Sequence, residues 1–127
     1  MTPSVPISWG ELIDKITILE IKADRLASDA ARANVQRELA QLMKIASTVE
    51  KNAELGRLRL ELKRVNETLW RIEDEIREKE AKKVFDEGFV ALARAVYHNN
   101  DERGRFKQAI NRLLGSEISE EKQYTSY

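Results

Sequence analysis

The sequence predicts an all-α fold, a helical bundle built on a long antiparallel helical hairpin with two shorter C-terminal helices. Three observations carry that prediction. Leu55, Leu58, Leu62, Val65, Leu69, Ile72 and Ile76 hold an unbroken 3-4 spacing, the period of a helix face rather than of a strand. Both prolines, Pro3 and Pro6, precede the first predicted helix, and no segment alternates apolar with polar residues as a half-buried strand does. Charged residues make up 35% of the chain, a balance that suits helices laced by ion pairs one turn apart.

Each element has its own signature. Ser8-Trp9-Gly10-Glu11 is an S-x-x-E capping box, so helix one starts at about Trp9. Within it Leu12, Ile16, Leu19, Ala23 and Leu26 form one stripe. Ile18 and Ile21 lie on nearly the opposite side, beside Asp14 and Arg25. A helix apolar on two faces is sandwiched, either inside its own bundle or against a partner chain. Helix two runs from about Asp29 or Ala31 to about Glu50, with Val35, Leu39, Leu42, Ala46 and Val49 on one seam. The apolar phase slips in residues 51–56, KNAELG, which marks a turn or else a bend in one longer helix. Helix three then runs from Leu55 to Lys82, about 42 Å at 1.5 Å per residue, and pairs with helix two as the long hairpin. Helix four spans Asp86 to His98. Helix five is capped by Asp101, carries Phe106, Ile110 and Leu113, and stops at Gly115. The expected organisation is one helical domain, 1–127, with an N-terminal extension over 1–7 and a polar tail over 116–127.

Composition narrows the function. Lys plus Arg and Asp plus Glu both count 22, so the chain has no net charge and no global field to draw in nucleic acid or an anionic membrane. The absence of Cys removes disulfides, thiolate zinc sites and Cys nucleophiles. Acids and lysines interrupt every apolar run, so neither a signal peptide nor a membrane span of about 20 residues is expected. A cytoplasmic location follows as an expectation.

Few residues offer chemistry. The sole histidine, His98, has Ala95 three residues before it, not the Glu of a ferritin-like di-metal helix, and suits a helix C-terminus better than a catalytic role. No cofactor is expected. Residues 70–80, WRIEDEIREKE, hold the densest ionisable cluster. Glu73 with Asp74 could chelate Mg²⁺, although Glu73 to Arg77 and Glu75 to Lys79 also make ordinary surface pairs. Asn66, Trp70, Glu73 and Arg77 form a stripe beside the apolar seam. They either line a pocket, with Trp9 and Arg25, for a ligand with a flat or sugar-like part, or pack where helices meet. Asp14, Ile18, Ile21 and Arg25 are the corresponding candidates for a protein–protein seam.

The phrases VPISWGELIDKITILEIK, VNETLWRIEDEIREKE, LARAVYHNND and INRLLGSEISEEKQY resemble an uncharacterised bacterial domain-of-unknown-function family over nearly the whole chain. That resemblance implies a helical domain that includes its C-terminal tail. LIDKITILEIKADRLA is similar to the first helix of all-α chorismate mutases, intertwined dimers that need no cofactor. Arg25 matches a later arginine of that helix, while Gly10 or Glu11 stands where its leading arginine belongs. The reading that results is a non-enzymatic scaffold or interaction module that self-associates as a dimer and meets an unknown protein partner. The alternative is a binder of a sugar nucleotide or carboxylate, or a cofactor-independent enzyme.

Overall fold

Four helices, α1 (Trp9–Arg25), α2 (Asp29–Ala46), α3 (Ala53–Ala81) and α4 (Glu87–Leu114), make up the regular structure of the protein. The computed structural model describes residues 1–49 and 51–127; Glu50, the predicted end of helix two, lies outside the described residues.

Each helix starts on a side-chain cap. The Ser8 hydroxyl accepts from the Glu11 N–H, and the Ser28 hydroxyl from the Ala31 N–H. The Asn52 amide oxygen accepts from Glu54 and Leu55, and the Asp86 carboxylate from Phe89. These oxygens satisfy N–H groups that have no partner within the helix. α4 ends at Gly115, whose φ of 62° lies in the left-handed region that a Cβ disfavours.

The structure corrects the predicted hairpin. Helices four and five are one continuous helix, α4, and Asp101 lies within it rather than at a cap. His98-Asn99-Asn100-Asp101 contains no Gly or Pro, and such residues cost only about 0.7 kcal/mol or less each in a helix. Asn99 also donates its Nδ2 to the Ala95 carbonyl at 2.8 Å, so its amide serves the helix. The fusion gives α4 28 residues against 29 in α3. These two form the long antiparallel hairpin, and among the described residues the backbone of α2 comes close to that of α1 but not to that of α3, which it meets through side chains, as where Arg59 Nη2 lies 3.6 Å from Met43 Sδ. The partners along the hairpin show its direction, since Lys79 meets Asp86 and Gly88 near its closed end.

The core gathers at the open end of the hairpin. Ile13 and Ile16 of α1, Leu62 of α3 and Ile110 of α4 are almost wholly shielded, and Leu12, Leu55 and Leu58 surround them. Burying each such side chain stabilises the fold by about 1.5–3 kcal/mol. α1 touches α2, α3 and α4, which is the central position that its two apolar faces allow. The seam of α3 thins toward the other end: Leu55 to Val65 and Ile72 are buried at every heptad position except Leu69, and Ile76 is half-exposed. No described helix is long and apolar enough to cross a membrane.

Candidate functional site

The start of α1 is built into the end of α4. Trp9 donates its N–H to the Ser116 hydroxyl at 2.9 Å, and Gly10 donates to Asn111 Oδ1 at 2.6 Å. Gly10 is required by this approach, because a Cβ there would overlap the Lys107 carbonyl oxygen. Glu11 does not stop at its own helix: its carboxylate meets the Lys107 ammonium at 2.8 Å, and Glu120 meets the same nitrogen at 2.8 Å. Burial works against the Lys107 charge, but the bonds to Glu11 and Glu120 outweigh it and raise its pKa.

One turn along α1 lies a buried polar network. Asp14 is completely shielded from solvent, and Arg103 of α4 grips it through Nε at 2.9 Å and through Nη2. Asn66 of α3 donates its Nδ2 to Asp14 Oδ1 and to Thr17 Oγ1, each at 2.9 Å, and Thr17 donates to the Asp14 carbonyl at 2.8 Å. Every buried side-chain N or O atom among the described residues has a partner. The bond to Asp14 also raises the pKa of the Arg103 guanidinium. A carboxylate this deep is tolerable only when paired and fully bonded, so the network fixes how α1, α3 and α4 meet.

Beside that network lie four of the six predicted pocket residues. Asn66, Trp70, Glu73 and Arg77 line one open groove of about 540 Å³, together with Ile18 and Ile21 of α1 and Val96 of α4. Trp9 is not there: it lies at the α1–α4 junction against the core. Arg25 lines a separate shallow surface with Arg64 and Arg71. Of the residues considered for a protein seam, Asp14 and Ile21 are buried within the chain, Ile18 is half-buried and Arg25 is exposed. The second face of α1 therefore finds much of its cover inside its own chain.

The acidic cluster on α3 spreads into surface pairs. Glu73 accepts from Arg77 Nε at 3.1 Å. The predicted Glu75–Lys79 pair is replaced, since Glu75 meets Arg71 at 3.6 Å and Lys79 reaches Asp86 at 3.1 Å. Among the described residues no three His, Cys, Asp or Glu side chains converge as a metal site would need.

Beside the groove, on the far side of Arg103 and Asn100, the C-terminal tail returns along α4 and encloses a second cavity of about 520 Å³. Glu120 holds the tail to Lys107, and the Tyr127 hydroxyl donates to Asp101. The Tyr127 ring lies edge-on to Tyr97 and His98, with centroids 5.0 and 4.8 Å apart.

Arg103, Lys107 and Asn111 are not among the residues that the sequence singles out. They recur every four positions on α4, a polar stripe beside Phe106 and Ile110, and they meet Asp14, Glu11 and Gly10 in turn. That spacing is the available signal, together with an aspartate set in the apolar strip of α1.

The chain belongs to DUF6165, a family of unknown function, whose model matches residues 3–127. No curated protein and no solved structure matches it.

Proposed function

We propose that residues 1–127 act as a single helical, non-enzymatic interaction module that works as a self-associated pair, with a second copy of the chain covering the closed end of the α3–α4 hairpin. The observation that carries this reading is the burial pattern. From Glu73 to Phe106 no described residue is buried, although the segment holds Ile76, Val84, Phe85, Phe89, Val90, Leu92 and Val96. Phe85 and Val90 are more than half exposed, and the Phe85 and Phe89 rings stack edge to face at 5.2 Å. At the closed end of the hairpin Val84, Phe85 and Val90 leave apolar area in water, a surface that marks an interaction site.

Charge favours a second copy as the occupant. Glu73, Asp74, Glu78, Glu80 and Asp86 are interspersed with Arg77, Lys79, Lys82 and Lys83, so two such ends related by a two-fold axis set opposite signs against each other. A stable contact needs about 800 Å² per partner, roughly a tenth of the 8791 Å² surface. The conspicuous acids and bases support a non-enzymatic reading, because they are engaged with one another at Asp14–Arg103, Glu11–Lys107 and Glu73–Arg77.

Light scattering and sedimentation equilibrium test this directly. The expected mass is twice 14.6 kDa, falling to the single-chain value in Phe85→Glu with Val90→Glu. Circular dichroism of that variant should stay unchanged, since both side chains are exposed. A wild-type chain that remains single at all concentrations, or a variant that remains paired, overturns the reading.

A further inference from the structure

We infer that the cavity between α4 and the returning tail is a binding site for an uncharged, hydroxyl-rich ring, a pyranose sugar. The inference does not depend on self-association, because the cavity wall includes neither Phe85 nor Val90, on which the pairing test turns.

The volume of about 520 Å³ falls within the range of about 300–1,000 Å³ usual for small-molecule sites. Its walls combine two kinds of group. Tyr97, Tyr124 and Tyr127 supply aromatic surface; Asn100, Asp101, Arg103 and Lys122 supply polar atoms. Among the described residues the Tyr124 ring makes no hydrogen bond or ring contact and is 74% exposed, so one aromatic face is free for a ligand.

Charge selects the ligand class. Arg103 is already neutralised by Asp14, through Nε and Nη2, and the walls beyond that pair carry one acid, Asp101, and one base, Lys122, the latter 3.7 Å from the Glu120 carboxylate. A dianion would meet no excess positive charge, and a purely apolar ring would leave both charges without new partners. A hydroxyl both donates and accepts. Neighbouring hydroxyls of one sugar can therefore donate to Asp101 while accepting from Lys122, Arg103 and Asn100. The C–H face of a pyranose supplies the apolar side that a tyrosine ring covers. The binding side of the fold would then include the tail as one wall, with Glu120 on Lys107 and Tyr127 on Asp101 holding it in place.

The test is an NMR titration of the full chain, labelled in its tyrosine and tryptophan rings, with methyl glucopyranoside, methyl galactopyranoside and methyl mannopyranoside, and with sodium benzoate as a flat anion. The expected result is saturable movement of the Tyr97, Tyr124 and Tyr127 rings with at least one pyranoside while the Trp70 ring stays still. Tyr124→Ala, at an exposed position, should weaken that binding on the order of ten-fold or more, and Phe85→Glu with Val90→Glu should leave it unchanged. Tyrosine rings that no pyranoside moves overturn the inference, as does movement that Tyr124→Ala leaves intact or that benzoate alone produces.

Discussion

Gly10 and Gly56 show how one chemical change takes opposite signs in different surroundings. Both lie in helices, where alanine is intrinsically better by about 1 kcal/mol. A methyl on Gly56 would have nothing within 4 Å of it, whereas a methyl on Gly10 would press on the Lys107 carbonyl and on Asn111 Oδ1. Gly56→Ala should therefore raise the midpoint of urea unfolding, and Gly10→Ala should lower stability by about 1–3 kcal/mol or more. Equal shifts in the two variants would refute the close approach of α1 to α4. The cap at Ser8 is legible in the sequence because a cap is local, written in residues three apart. The need for Gly10 is not, because it comes from Lys107 and Asn111 at the far end of the chain. Asp14 stands between the two cases. Its place in an apolar strip points to a partner, but Arg103, 89 residues on, is named by no local pattern.

Among the helices, those with strong local signals are legible in the sequence with their ends nearly right. α1 begins at Trp9 as its capping box requires, and α3 covers the predicted heptads. The stripe of Asn66, Trp70, Glu73 and Arg77 is legible for the same reason, since residues three and four apart on one helix share a face. α4 reads as two helices because polar residues in its middle imitate a boundary. A proline distinguishes the two descriptions. At Glu102 it would be welcome as the first residue of a separate helix after an Asp101 cap, but inside a continuous helix it costs about 3 kcal/mol or more. Glu102 is exposed and, among the described residues, pairs only with neighbouring Arg105 at 3.3 Å, so the backbone term dominates. Glu102→Pro should be severely destabilised in thermal unfolding; a near-neutral effect would restore the break. The hairpin pairing is hidden by the same imitation, because only the fused α4 is long enough to match α3.

For the molecule as a whole, the tail and the α1–α4 junction tie the two ends of the sequence together. The hold on the tail depends on pH in a predictable way. The bond from Lys107 pulls the Glu120 carboxyl below its ordinary 4.5, so its contribution is complete above that value and disappears as pH falls through the lower folded value. The bond to Asp101 raises the Tyr127 phenol above its ordinary 10.0, so that contact is complete below 10.0 and disappears as pH rises through the raised value. Backbone relaxation of residues 118–127 should report an ordered tail near neutrality and a mobile one in acid and in strong base; mobility that ignores pH would exclude both contacts as its anchors. The junction has a separate consequence for the order in which the protein is made. Trp9 and Gly10 find their acceptors at Ser116 and Asn111, more than a hundred positions downstream. As the chain emerges from the ribosome, α1 and α2 are complete long before those acceptors exist. The Trp9 and Gly10 N–H groups are then met by water alone, while Ser8 already caps Glu11, and the native fold closes only after synthesis has reached the far end of α4. A chain stalled before residue 111 cannot pass through a native-like intermediate at this junction, so the earliest residues to be synthesised are among the last to settle.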